Sequence, residues 1–342
     1  MDKNITIRDV ARAAGVSPGT ASRALNNSPL VAEATRQAVL EAARRLNYQP
    51  NIMARRLSLG KTLTIAILAP FFTRPAFVAR LRGIVQALQD TSYDLLIHNI
   101  DNPESRAQVF EQMLRTRRVD GAIIISLPMD ATTRETIVQS ETPIVLIDIP
   151  TSQDLPVSQV VVDDVQGGRQ ATEHLIALGH RRIAFLGDKA DPHFAFTSSK
   201  HRYQGYQQAL QNAGIPLETR YYRECDIARQ AARLATLDLL QESPRPTAIF
   251  AASDTQAMGV LEAAREMHLR VPQDLSVIGY DDLDVSEHIQ LSTVHQQLVT
   301  SGVLGARLLL RHLDDPTTAC TREQLHTHVV ARSTTAPPGQ IS

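Results

Sequence analysis

The sequence predicts a small all-α head joined to an α/β body of two doubly wound lobes. Apolar residues recur at i, i+3, i+4 and i+7 near the N-terminus, the spacing of one buried helix face. From Thr64 onward, short continuous apolar runs alternate with helical stretches, which marks parallel sheets covered on both faces. Charge is divided unevenly as well. The 342 residues have a net charge of −1, yet residues 1–60 carry nine basic and four acidic side chains, against 26 and 32 in the remainder.

The head reads as three helices. Ile7, Val10, Ala11 and Ala14 form the buried stripe of the first, with Thr6 placed to cap it. Gly15 supplies a turn that needs positive φ. Ser17 is a good N-cap and Pro18 sits at the first helical position, where its missing N–H costs nothing. Ala21 and Leu25 turn the second helix inward, and Val39, Ala42, Ala43 and Leu46 mark a third. Two short helices joined by a tight glycine turn are a helix-turn-helix, whose second helix lies in the DNA major groove. An ordinary helical hairpin has the same pattern, and the basic excess of residues 1–60 favours the nucleic-acid partner.

Residues 47–60 form a linker. Pro50 stops what precedes it. Asn51 can cap a helix running to Ser58, about two turns long, too short to be stable alone and so expected to fold on DNA. Gly60-Lys61-Thr62 imitates the end of a phosphate-binding loop, but position 55 is Arg55 and the triplet precedes a strand, so it is rejected.

In the body, strands are expected at Ile65–Ala69, Leu95–Ile97, Ala122–Ile125, Ile144–Ile147, Val160–Val162, Ile183–Leu186, Ala248–Ala251 and Ser276–Tyr280. Helices are expected at Val78–Leu88, Arg106–Arg115, Gly167–Leu178, Arg202–Ala213 and Thr255–Met267, with a polar helical stretch before Ile144. There are too many units for one small sheet, so two lobes split near Val160 fit better. Ligands of such sheets bind at the carboxyl ends of the strands. The loops after Leu68, Ile97, Ile125, Ile147, Leu186, Ala251 and Gly279 then line a cleft between lobes.

Composition excludes several classes. Apolar content of 43% and charged content of 21% are ordinary for a soluble protein, and aromatics are scarce at 4% with no Trp. No run reaches about 18 apolar residues, so no membrane span is expected. The N-terminus lacks a basic region followed by an apolar segment, so no signal peptide is expected. Cys225 and Cys320 are isolated, without metal-ligand spacing, which fits reduced cysteines in the cytoplasm.

Several motifs in order resemble the LacI/GalR family of bacterial transcription repressors over essentially the whole chain. Thr6 to Asn26 is similar to the family's helix-turn-helix, and Leu46–Asn51 with Ala54–Leu57 to its hinge. Asp163 through Gly167-Gly168 to Ile183 is similar to its central signature; Arg202–Tyr206, Ser253-Asp254 and Val271–Asp282 also match. The resemblance implies a body like periplasmic sugar-binding proteins. It divides the chain into a head (1–47), a hinge (48–61) and an effector-binding and dimerisation body (62–335), followed by a flexible tail (336–342). The first lobe is expected at 62–160 plus 292–324, the second at 161–291 plus 325–335.

For DNA, the resemblance implies that Arg23 reaches a base edge or a phosphate, with Thr20 and Ser22 sharing base reading. Pro18 and Gly19 fill the positions that usually vary between family members and offer no side-chain donor or acceptor. Thr6, Ser17, Asn26 and Asn51 resemble phosphate-side contacts, Thr6 and Ser17 being equally suited to capping alone. Leu57 resembles the hinge leucine that wedges into the minor groove, the alternative being packing on the body, and Ala54 is small enough for close approach to the groove.

For the effector, Arg202 and Asp281 match positions that hydrogen-bond sugar hydroxyls. Ser253 follows a strand, and Asp254 either faces the cleft or caps the helix from Thr255. Phe77 packs on the ligand or in the lobe core, and Asp148 and Asp163 end strands of the first lobe as polar contacts or lobe-crossing residues. Two departures stand out. Ile227 occupies the place of a ring-stacking aromatic, for which His193, Phe194 and Phe196 are candidate replacements, and the signature's usual Asp-Asn is Asp163-Asp164.

The expected function is a cytoplasmic, sequence-specific DNA-binding repressor, a homodimer controlled by a small sugar-like effector, with no cofactor and no membrane partner. A purine or nucleoside effector is the alternative within the class. A solute-binding protein would have no use for a basic head, and an enzyme would need a catalytic constellation, which no motif supplies.

Overall fold

The structure, a computed structural model, describes residues 5–49, 56, 59–100, 102–115, 118–149, 155–191, 194 and 196–339. The chain divides into two compact units, Met1–Thr62 and Leu63–Ser342.

The first unit holds α1 (Ile7–Ala13), α2 (Pro18–Leu25) and α3 (Glu33–Arg45). Their stripes close on a core that includes Val10, Ala11, Ala21, Ala24, Val39 and Ala42, mostly small residues that let short helices approach closely. Ala24 and not Leu25 is the second fully inward residue of α2; Leu25 packs at the margin. Gly15, at φ 66°, makes the turn. The expected hinge contacts Asn51, Ala54 and Leu57 lie outside the described residues.

The second unit contains two parallel sheets. The first comprises β1 (Thr64–Ala69), β2 (Asp94–Asn99), β3 (Gly121–Ile125), β4 (Ile144–Ile147), β5 (Ser158–Val162) and β11 (Arg322–Leu325). Their order is β11-β5-β4-β3-β1-β2. Successive residues along a strand face opposite sides. Ala66 and Leu68 therefore enter one core, and Ile65 and Ile67 the other, which is why these strands read as unbroken apolar runs. The covering helices are α4 (Pro75–Leu88), α5 (Pro103–Phe110, continued by a π-turn over Glu111–Arg115), α6 (Ala131–Val138) and α12 (Leu298–Asp314).

The second sheet comprises β6 (Ile183–Asp188), β7 (Tyr222–Cys225), β8 (Ala248–Ala251) and β9 (Ser276–Ile278), in the order β7-β6-β8-β9. Around it lie α7 (Asp164–Ala177), α8 (Ser198–Asn212), α9 (Arg229–Leu239), α10 (Asp254–Glu266) and the short α11 (Asp284–His288). A two-stranded antiparallel ribbon, β10 (Thr293–His295) with β12 (His328–Val330), extends this lobe. The chain crosses between lobes after β5, between β10 and α12, and between β11 and β12.

These crossings refine the expected boundaries. β5 stays in the first sheet to Val162, beyond the expected split at 160. β10 belongs with the second lobe, through bridges Ile278–Ser292 and Asp281–His295, so the return to the first lobe falls after His295 rather than at 292. Ala336, expected to open a loose tail, is tied down: its N–H donates to Ser276 Oγ at 3.1 Å and its carbonyl accepts from Ser276 Oγ at 3.0 Å.

Candidate functional site

In doubly wound sheets the carboxyl ends of the strands flanking a switch in strand order are where a ligand fits. Here the switches lie between β1 and β3 in the first lobe and between β6 and β8 in the second. Pro70 and Ser126, just past β1 and β3, and on the other side Asp188, which ends β6, and Ser253, just past β8, line one cavity of about 150 Å³. Phe71, Ser126, Asp148 and Asp281, each just past a strand, all have positive φ (50°, 48°, 58° and 120°). Residues with a Cβ seldom adopt such backbone, and it clusters where side chains must be aimed at a site.

A polar network runs through the cavity wall from lobe to lobe. Asp148 accepts from Ser126 Oγ at 2.6 Å and from Arg80 Nη2 at 2.7 Å. Arg80 Nη2 also reaches Gln296 Oε1 at 3.3 Å, and the Gln296 amide donates to Asp281. Arg202 is buried and held by second-lobe partners. Its Nε donates to Asp164 Oδ1 at 2.8 Å and its Nη1 to the Ala252 carbonyl at 2.6 Å, with the guanidinium carbon 3.8 Å from the Tyr280 ring centre. Burial opposes its charge, but Asp164 and Asp281 outweigh that and hold it above the ordinary arginine range. Burial pushes Asp281 up to about 7, against the pull of Arg202.

Helix packing fixes Arg202 where it is. A Cβ on Gly168 of α7 would meet the Arg202 carbonyl oxygen at 2.1 Å, and one on Gly205 of α8 would meet the Val165 carbonyl oxygen at 2.0 Å. The two helix backbones touch at these glycines, and the arginine projects from the contact.

Of the sequence candidates, Phe77, Asp148, Arg202, Ser253 and Asp281 line the cavity. Phe77 is also 95% buried in the lobe core, so the core alternative holds while the same ring borders the cavity. Of the two alternatives for Asp163, the structure takes the lobe-crossing one and not the effector contact. It follows β5 where the chain changes lobes, is not among the residues that line the cavity, and caps α7, its carboxylate accepting from Gln166 N at 2.9 Å because the helix N-terminus needs the acceptor. Asp254 does not cap α10 either. Ser253 does, accepting from Gln256 N at 3.2 Å, while Asp254 is buried and accepts from Leu283 N, Ser286 Oγ and Thr293 Oγ1 at 2.9, 2.7 and 2.6 Å. That burial raises Asp254 to about 6.

Ile227 stands on the cavity wall where it cannot stack, and Phe196 lines the cavity as well. Phe194 comes from the second-lobe loop yet packs into the first-lobe core, edge-on to Phe71 at 6.3 Å, while His193 lies outside the described residues. Sequence reasoning missed Arg74, Arg80, Asp188 and Gln296, all of which line the cavity. Asp188 had a signal, since it ends a strand whose loop was assigned to the cleft. Arg74 and Arg80 had none, lying before and inside a helix. Among the described residues, no group of His, Cys, Asp and Glu could hold a metal ion, and no helix is long and apolar enough to cross a membrane.

In the head, Asp9 Oδ2 accepts from Thr6 N and Oγ1 at 3.0 and 2.7 Å, closing the first turn of α1. Ser17 Oγ accepts from Thr20 N at 3.1 Å and bonds Thr20 Oγ1 at 2.9 Å. With Ala21 and Ala24 turned inward, α2 exposes Pro18, Gly19, Arg23 and Asn26, with Ser22 half-buried. Arg23 Nε rests on the Gly19 carbonyl at 3.2 Å, leaving the rest of its guanidinium in solvent.

A helix-turn-helix head on a two-lobed body with a polar cleft is the build of a DNA-binding regulator. Residues 6–51 match the bacterial regulatory proteins of the lacI family, and residues 172–335 match a periplasmic binding protein-like domain. Catabolite control protein A of Priestia megaterium is 33% identical over 337 residues, covering 97% of this chain and 99% of that one. The ribose operon repressor of Escherichia coli K12 is 34% identical over 325 residues, covering 94% and 96%. Among solved structures, the lac repressor dimer bound to operator and the anti-inducer ONPF superposes with a TM-score of 0.84 at 28% identity, over 98% of this chain and 100% of that one. The chain belongs to the LacI family of bacterial transcriptional regulators. It is a DNA-binding regulator and not an enzyme.

Proposed function

We propose that this protein represses carbohydrate-utilisation genes as a homodimer, reading a pseudo-palindromic operator through α2 and releasing or holding it according to a sugar-like effector in the cleft. The proposed functional units are the head (1–47), the hinge (48–61) and the body, and such a regulator works in the cytoplasm. The observation that carries the effector half is the chain of polar contacts Asp148–Arg80–Gln296–Asp281 with Arg202 beside it. Charged donors and acceptors of both signs on one small cavity suit a ligand whose hydroxyls both give and accept hydrogen bonds. Phe77, Asp148, Arg202, Ser253 and Asp281 are the proposed effector contacts. Because the network spans both lobes, an occupant that bridges it favours one lobe arrangement over another, which is the differential affinity that allosteric control requires.

For DNA, Arg23 with Thr20 and Ser22 is proposed to read bases, and Thr6, Ser17, Asn26 and Asn51 to hold phosphates. Ala54 and Leu57 are proposed to approach the minor groove. The relatives named as a ribose operon repressor and as a repressor bound to operator support the DNA-binding role of the head.

A second reading, a purine or nucleoside effector, is favoured by one observation: Phe77 and Phe196 both line the cavity. A thermal-shift screen against monosaccharides, disaccharides, sugar phosphates and purines decides. A ligand at 100 times its dissociation constant adds roughly 2.7 kcal/mol. A sugar hit supports the polyol site, and a response to purines alone replaces it with the second reading.

A further inference from the structure

We infer that the effector is an uncharged polyol and that Asp188 selects it by accepting a hydroxyl hydrogen, an inference that rests on the cleft being the effector site. Asp188 ends β6 and faces the cavity from the second lobe. Its Oδ1 is shut off from solvent and has no hydrogen-bond partner. A buried acceptor left unmade is costly, and such groups are otherwise paired. The other acids of the wall are already satisfied: Asp148 by Arg80 and Ser126, Asp281 by Gln296. Asp188 Oδ1 is the acceptor atom that the protein leaves open, while the charges of Arg202 and Arg74 and the Gln256 side chain act on the carboxylate as a whole.

Arg74 faces the same cavity from the first lobe. Its guanidinium lies 4.0 Å from the Phe71 ring centre, and its charge and that of Asp188 act on each other without an ion pair between them. The cavity therefore offers an open acceptor on one lobe and a donor on the other. A phosphate or carboxylate would suit Arg74 but would face the Asp188 carboxylate. An ammonium would suit Asp188 but would face Arg74. Neighbouring hydroxyls satisfy both, one giving its hydrogen to Asp188 Oδ1 and the next accepting from Arg74, and they add no net charge to an enclosed site.

The test is calorimetry on the full-length protein with neutral pentoses, hexoses and disaccharides, each beside its monophosphate, its uronate and its amino-sugar counterpart. A neutral sugar is expected to bind about tenfold or more tighter than every charged counterpart, a ranking that needs no variant. Asp188→Asn is expected to weaken that sugar roughly tenfold, since a bond to a charged acceptor is about twice as strong as a neutral one. It is also expected to raise the melting temperature of the unliganded protein, because a buried carboxylate oxygen without a hydrogen-bond partner is gone. A charged counterpart that binds as tightly as the neutral sugar overturns the inference, and so does unchanged affinity in Asp188→Asn. Silence from every probe, charged or neutral, instead overturns the effector role of the cleft, and the inference with it.

Discussion

Arg202 Nη1 lies 4.0 Å from Asp281 Oδ1, with Asp164 2.8 Å away on the arginine's other side. The guanidinium is fixed by its own lobe, and a cavity occupant meets a charge that is already oriented. Removing it strands two buried carboxylates, and breaking a buried pair from one side costs about 3–5 kcal/mol. Arg202→Ala is therefore expected to lose that much stability in urea unfolding and to lose effector response. A loss below about 1 kcal/mol would mean that the pair is not energetically coupled.

Gly168 tests the same device from the backbone. A methyl there would press on the Arg202 carbonyl at 2.1 Å, so the two helices must part. Gly168→Ala is expected to cost about 1–3 kcal/mol, as overpacking does. It is also expected to weaken effector binding, because the arginine moves with its helix. Normal effector affinity in a destabilised Gly168→Ala would separate the packing from the site.

Stability should depend on pH through the buried acids. Asp281 is raised to about 7 and Asp254 to about 6 by burial, whereas both titrate near ~3.9 in the unfolded chain. Between these values the folded protein holds more protons than the unfolded one, so their contribution is greatest below pH ~4 and falls as pH rises to about 7. Asp281→Asn removes its share of the loss. The melting temperature of the variant relative to wild type is expected to rise between pH ~5 and pH ~7.5. A difference that does not change with pH contradicts the raised value.

How much of this was legible in sequence depends on which faces a segment buries. Ile65–Leu68 and Ile183–Leu186 read as strands because both faces are covered. Tyr222–Cys225 and Arg322–Leu325 did not, because they are edge strands with polar, partly exposed residues. The rule that ligands meet strand carboxyl ends leads to Asp148 and Asp281, which line the cavity. It leads equally to Asp163, whose carboxylate went to a helix cap, a choice that the spacing alone does not reveal. Arg80 and Gln296 come from a helix interior and an inter-lobe segment, and only the fold brings them 3.3 Å apart. Helix α12 carries an amphipathic stripe, with Leu298, Ala306 and Leu309 buried, that is absent from the helices expected from sequence.

The head separates capping from base reading. Ser17 caps α2, so Ser17→Ala is expected to cost about 1 kcal/mol of stability. Arg23 makes only a local bond to Gly19, so Arg23→Ala is expected to leave stability within about 0.5 kcal/mol. It is expected to cost about 1–3 kcal/mol of binding to the preferred site, and less on random DNA. Equal losses on both DNAs would make Arg23 a phosphate contact.

The most direct measurement is selection of binding sites from random duplex DNA by the full-length protein, followed by titration of the selected site with and without the sugar found by calorimetry. The expected result is a pseudo-palindrome of two half-sites, bound with an affinity that the sugar changes at least about fivefold in either direction. No sequence preference, or an affinity indifferent to a sugar that does bind the protein, would contradict the coupling between the cleft and the head.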